Sequence, residues 1–341
     1  MATGTNIHTY FEKNWHKGNI PIMNAADHGS WLGSTVFDGA RYFNGVAPDL
    51  LAHCERLNQS AKAMGLVPTY SEKEIYDLIL EGLANYTKQS AVYIRPMYWG
   101  IGNGYSAIVP DGANIGFCIC LEEIPMASDA NTTTLTRTSF HRPILTDNLC
   151  NAKAGCLYPN NARMLQEAST KGFNNALVAD AVGNVAETAT SNVFLVKDGE
   201  IFTPIPNGTF LAGITRSRHI QNLKSDGYQV NECVLKFEDF SRADEVFLTG
   251  NMTKITPVSL FDDIKYEYLL DPATQIIKSG YIKREGLKGI IFTDITHHSI
   301  FASKVRKQIF SLFEKSPYYT NKKKWKTKDG YSKGNIYVSI N

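Results

Sequence analysis

Residues 187–216 read ETATSNVFLVKDGEIFTPIPNGTFLAGITR, and this stretch restricts the fold more than any other part of the chain. Its NVFLVKDG is an apolar, β-branched run that ends on a turn dipeptide, the pattern of a strand. Its end continues as FLAGITRSRH, a turn that enters a helix directly. The start of a helix carries N–H groups with no intrahelical partner and the positive end of the dipole. Gly213, Ile214 and Thr215 are therefore placed to hold an anion such as a phosphate, with the Thr215 hydroxyl as a further donor. No Walker motif accompanies them. A strand followed by such a helix needs a sheet to pack on, and the neighbouring sequence supplies one. NALVAD at 175–180 and EVFLTG at 245–250 read as further strands. NNARMLQEASTKG at 160–172 and TRSRHIQNLKSDG at 215–227 read as helices, the second stopping on glycine.

The N-terminal part has another order. GSTVFDGARYFN at 33–44 reads as one strand ending at a turn near Asn44–Gly45, and helical periodicity runs through 48–64 and 71–86. Ser71 and Glu74 form a capping-box start for the second helix. Two strand runs follow, AVYIRPMYW and NIGFCICLEE. The fold class is thus α+β, or mixed α/β. IPMASDANT at 124–132 lacks periodicity and reads as a linker. The expected division is a small α/β domain at 1–123, that linker, a larger domain at 133–283, and a C-terminal extension at 284–341. The extension holds 12 Lys or Arg against 4 Asp or Glu, densest at KKKWKTK (322–328), and reads as a solvated tail.

Composition excludes several classes. A net charge of +2 gives no global field for nucleic acid. No apolar run approaches the roughly 20 residues that span a bilayer, and the polar N-terminus has no apolar signal core, so the chain reads as cytoplasmic. Cys54, Cys118, Cys120, Cys150, Cys156 and Cys233 fit neither a disulfide framework nor a zinc pattern. They read as reduced, small core residues, and no metal is expected.

Glu187, Asn192, Val193, Phe194, Thr203, Leu211, Gly213, Ile214 and Arg216 carry a resemblance. Their spacing is similar to the signature of the class IV aminotransferases, the fold type IV (D-amino-acid aminotransferase-like) enzymes that use pyridoxal 5'-phosphate (PLP). The resemblance covers roughly residues 20–283 and is closest to the branched-chain amino-acid aminotransferases. It implies two domains, PLP as cofactor, amino-acid and 2-oxo-acid substrates, and a homodimer. Lys153, in NAKAGCLY, matches the lysine that carries PLP as a Schiff base and moves the substrate proton, with small Ala154 and Gly155 leaving room for the ring. Tyr158 matches the tyrosine on the cofactor's phenolic oxygen. Glu187 matches the carboxylate facing the pyridine nitrogen, which keeps the ring an electron sink. Arg56, in HCERLNQSA, matches the arginine that reaches the phosphate. Gly250, Asn251 and Met252, in LTGNMTKITPV, match a second phosphate and carboxylate contact, with Asn251 standing where branched-chain enzymes have a small hydroxyl residue.

For the substrate, Tyr93 and Arg95 sit two apart on a strand and face one side. The pair resembles the carboxylate contact of the branched-chain subgroup. Phe37 and Arg41, in FDGAR, resemble that subgroup's F-E-G-x-R stretch. Trp31 and Leu32 depart from its usual histidine and tyrosine, and with Trp99 are expected to reshape the pocket. The sequence points to transfer of an amino group from a branched-chain L-amino acid to 2-oxoglutarate. The same scaffold leaves open an (R)-amine or D-amino-acid transaminase, an aminodeoxychorismate-type lyase, and a non-catalytic homologue.

Overall fold

The computed structural model describes residues 4–127, 132–266, 290–292 and 336–338. The chain divides into one unit of residues 1–268 and another of 269–341. In the second unit, Ile290–Phe292 pairs antiparallel with Ile336–Val338. The basic cluster at 322–328 and residues 128–131 of the expected linker lie outside the described residues.

The first unit holds two sheets. Strands β1 (Thr5–Phe11) and β2 (Asn14–Lys17) form a hairpin, followed by the one-turn helix α1 (His28–Trp31) and the short strands β3 (Thr35–Phe37) and β4 (Ala40–Tyr42). Helices α2 (Leu50–Ala63) and α3 (Glu72–Leu83) come next, then strands β5 (Val92–Gly100) and β6 (Ile115–Glu123). The sheet runs β2-β1-β6-β5-β3, with β4 also on β5, and every pairing is antiparallel. Residues 33–44 are therefore two strands, where one was expected. The break falls at Asp38, opposite Pro96 of β5; proline has no N–H to donate to a ladder, and the Asp38 N–H turns in to the Pro96 carbonyl at 3.0 Å. The capping box of α3 is present as expected: Ser71 Oγ accepts from the Glu74 N–H, and Glu74 Oε2 accepts from the Ser71 N–H. Leu57, Ile75, Ile79 and Ile94 are fully buried in one core that joins both helices to the sheet, each contributing about 1.5–3 kcal/mol.

The second sheet begins with β7 (Thr133–Arg142). Helix α4 (Tyr158–Thr170) leads to β8 (Asn175–Asp180), β9 (Val185–Thr188), β10 (Asn192–Lys197) and β11 (Glu200–Pro204). Helix α5 (Ile214–Ser225), β12 (Val230–Cys233), the short α6 (Phe237–Ser241), β13 (Glu245–Gly250), β14 (Lys254–Phe261) and β15 (Ile264–Lys265) complete it. Its nine strands run β12-β11-β10-β13-β14-β7-β8-β9, with β15 on β14. The sheet is mixed: β7 is parallel to both β8 and β14, and β11 to β12. Helix α5 ends as read, with Gly227 at φ +91° just beyond its last turn.

All six cysteines are free; Cys54, Cys118, Cys120 and Cys150 are buried, but Cys156 is exposed and so departs from the core reading. Among the described residues no helix is long and apolar enough to cross a membrane.

Candidate active site

The chain segment after β7 returns to β3, and this crossing builds the site. The Lys153 N–H donates to Ser60 Oγ of α2 at 3.0 Å, and its carbonyl accepts from the Phe37 N–H at 3.1 Å. Ala154 bridges to Val36, and a Cβ on Gly155 would stand 2.2 Å from Thr35 Oγ1. The small residues after the lysine are thus required by the close approach of β3, a constraint additional to the room for a ring that the motif implied. The Lys153 amine donates to the Tyr158 hydroxyl at 2.9 Å and lies 4.9 Å from the centre of the Phe37 ring.

Lys153 faces a cavity of about 900 Å³ lined by residues of both sheets. Glu187, near the end of β9, lies on its wall. One carboxylate oxygen sits 3.1 Å from Arg142 Nη2 and the other accepts from Asn192 Nδ2 at 3.2 Å. Burial pushes the Glu187 carboxyl up to about 7, against the opposing pull of Arg142 and Lys153. Arg142 is held from behind: it donates to Asn161 Oδ1 (2.6 Å) and to the carbonyls of Thr188 (2.7 Å) and Ala189 (3.2 Å).

A second group of donors lines the cavity at the start of α5. Asn192 fixes this turn from both sides, accepting from the Gly213 N–H at 3.1 Å and donating to the Leu211 carbonyl at 3.1 Å. A Cβ on Gly213 would stand 2.2 Å from Asn192 Oδ1, so any side chain here would force Asn192 to shift. Ile214 and Thr215 open the helix, where first-turn N–H groups have no intrahelical acceptor. The β13–β14 turn adds Gly250, Asn251 and Met252 to the same wall. The Asn251 side-chain oxygen accepts from Lys254 Nζ at 2.5 Å, while Asn251 Nδ2 and Thr249 Oγ1 are buried with no partner among the described residues. Buried donors without partners cost stability, and a phosphate in the cavity would supply acceptors for them. This donor set fits PLP: an amine, a carboxyl beside an arginine, and N–H and hydroxyl donors at a helix start.

Arg56 of α2 also lines the cavity, with one edge of its guanidinium engaged. Nε and Nη2 bond the two oxygens of Asp38 at 2.7 and 2.9 Å, and His53 Nδ1 lies 2.7 Å from the same carboxylate. Burial raises the Asp38 pKa, but Arg56 and His53 outweigh it and hold the group well below the usual carboxylate range. With Asp38 ionised, the hydrogen on His53 belongs on Nδ1.

Phe37, Tyr93, Arg95 and Met252 line the cavity. Arg41 does not. It lies opposite Tyr93 in the β4–β5 ladder, but Nη2 donates to the Ile124 carbonyl at 2.6 Å and contacts Met126 Sδ at 3.0 Å, and the residue is fully buried. Trp31 and Leu32 are exposed and Trp99 is buried, donating to Asp27 Oδ2 at 3.1 Å. None of the three is part of the cavity wall, so the expected reshaping of the pocket by them is not what this unit contains. The sequence reading missed Arg142 and Asn161, which have no local signal, and Asp38 and His53. A signal for His53 existed, since it stands one turn before Arg56 on the same helix face.

Three comparisons agree with this geometry. The amino-transferase class IV family model matches residues 35–261. The branched-chain-amino-acid aminotransferase of Escherichia coli K12 is 31% identical over 285 residues, which is 78% of this chain and 88% of the relative. Among solved structures, an aminotransferase from Brucella abortus bound to PLP is 51% identical with a TM-score of 0.80, covering 82% of this chain and 99% of that one. A branched-chain aminotransferase from Thermoproteus uzoniensis with norvaline is 26% identical with a TM-score of 0.74, covering 82% and 95%. The two-sheet, mixed α/β architecture is therefore the type IV fold expected from the motifs, and the chain belongs to the class IV aminotransferases.

Proposed function

We propose that the protein uses PLP to move the amino group of leucine, isoleucine or valine to 2-oxoglutarate, as a homodimer acting in the cytoplasm. The observation that carries this reading is one cavity with the Lys153 amine and the Glu187 carboxyl on its wall, close enough for Lys153 to act on the ionisation of Glu187. Glu187 would face the ring nitrogen and Tyr158 the phenolic oxygen. The N–H groups at Ile214 and Thr215, the Gly250–Asn251 turn and Arg56 would hold the phosphate. The bound cofactor supplies the electron sink that lets a proton leave the substrate Cα. Lys153 would take that proton and later give it back, with Tyr158 orienting its amine. Arg142 favours the anionic form of Glu187 against the cost of burial. Tyr93 and Arg95 receive a substrate carboxylate, and Phe37 and Met252 provide apolar wall.

Initial-rate measurements with L-leucine and 2-oxoglutarate should give parallel double-reciprocal lines, with L-leucine preferred to D-alanine and (R)-1-phenylethylamine. Faster turnover of either of the last two would move the enzyme to the D-amino-acid or (R)-amine class. A second expectation concerns the phosphate end. Gly213→Ala drives a methyl group into Asn192 Oδ1, and overpacking of this kind costs about 1–3 kcal/mol. PLP titration followed by absorbance should show affinity reduced about 10- to 100-fold in a protein that keeps its circular dichroism. Unchanged affinity would remove the start of α5 from the phosphate site.

A further inference from the structure

A branched-chain transaminase has a recognition problem. In one half-reaction its cavity takes an apolar side chain, and in the other the anionic side chain of the acceptor. An arginine suited to the second is a stranded charge during the first. The structure contains a device for this in a residue outside the family motifs.

Arg95 faces the cavity from β5, and Glu122, opposite Tyr93 on the adjacent strand β6, lies diagonal to it. Arg95 Nη1 donates to Glu122 Oε1 at 2.8 Å. The other Glu122 oxygen accepts from the Gly4 N–H at 2.8 Å, and the Glu122 side chain is only 5% exposed, so the carboxylate is fixed in place. Arg95 is differently situated: its side chain is 33% exposed, with the Tyr93 ring 5.7 Å from the guanidinium carbon. Guanidinium has five N–H donors. One is used on Glu122 and one makes a 3.5 Å contact with Cys120 Sγ, and the others meet no protein acceptor among the described residues.

We propose that Glu122 is the specificity-determining partner of Arg95, a fixed counter-charge that lets one cavity accept both apolar and dicarboxylic substrates. With an apolar side chain bound, Arg95 is neutralised by Glu122 and strands no charge. With 2-oxoglutarate or glutamate bound, the remaining N–H donors hold the side-chain carboxylate, and Glu122 weakens that contact by its own negative charge. The balance between the two substrate classes is thus set by a residue that touches neither. This inference rests on the reading of Arg95 as a substrate contact.

The test compares KM values of the PLP-loaded enzyme for 2-oxoglutarate and for 4-methyl-2-oxopentanoate in Glu122→Gln, Glu122→Asp and Arg95→Met. Glu122→Gln should lower KM for 2-oxoglutarate about tenfold and raise it several-fold for the apolar oxo acid, through the Coulomb contribution of one charge beside the site. Glu122→Asp should return the ratio towards the native value. A merely structural role would raise both KM values together, and that result, or no change in either, overturns the proposal. Arg95→Met should raise KM for 2-oxoglutarate alone. If it does so while Glu122→Gln leaves the ratio unchanged, only the inference about Glu122 fails; if Arg95→Met has no effect, the reading of Arg95 as a substrate contact fails and the inference with it.

Discussion

Lys153→Ala should reduce transamination about 10⁴-fold or more while leaving the protein folded. The two expectations separate because the lysine backbone and side chain have different partners. The backbone is pinned by Ser60 and Phe37, and neither bond involves the amine. Among the described residues the amine bonds only Tyr158, which is 39% exposed and can turn to water when the partner is lost. Truncation therefore leaves no buried orphan, and the unfolding free energy should move by about 1 kcal/mol or less. Activity has no such substitute, because among the described residues no other lysine lines the cavity to take and return the substrate proton. Steady-state rates beside a urea titration check both halves. A variant retaining a tenth of the native rate would mean that another group does this chemistry.

Glu187→Gln should cost about 10²- to 10³-fold in kcat, the usual scale for removing one electrostatic contact that is strongest in the transition state. The amide keeps the size and the bond to Asn192 but cannot hold a proton on the ring nitrogen. It also leaves the Arg142 guanidinium without its carboxylate. The same substitution tests the pH behaviour. In the folded protein without cofactor, burial raises the carboxyl from 4.5 to about 7. Between those values the folded chain holds a proton that the unfolded chain has released. The contribution to stability is therefore fully present below about pH 4.5 and is lost as pH rises towards 7. The loss amounts to about 3 kcal/mol at most. Urea unfolding of cofactor-free protein across this window should show that decline, and Glu187→Gln should remove it. A variant with the native pH slope would assign the decline to another group.

What the sequence made legible was local. Apolar, β-branched runs located β5, β6, β8, β10 and β13, and the Ser71–Glu74 pair located the start of α3, because those signals lie within one turn or one strand. The residues from Glu187 to Thr215 were legible as candidates because they fall in one continuous stretch that resembles a family signature. The partners of charge were not. Arg142 reaches Glu187, and Arg95 reaches Glu122, only after strand pairing brings them together, and periodicity carries no information on which strands pair. Asp38 looked like one position in a continuous strand until Pro96 opposite it broke the ladder. Arg41, matched by motif position, was drawn away from the cavity by the Ile124 carbonyl, a partner 83 residues distant in sequence.

The proposed chemistry depends on Lys153 holding PLP. Borohydride reduction of the purified protein fixes the cofactor covalently to the lysine it occupies, and mass spectrometry of the digested protein locates it. The cofactor's mass should appear on the peptide containing Lys153 and be absent from that peptide in Lys153→Ala. A label on another lysine, or none after PLP is supplied, would contradict this.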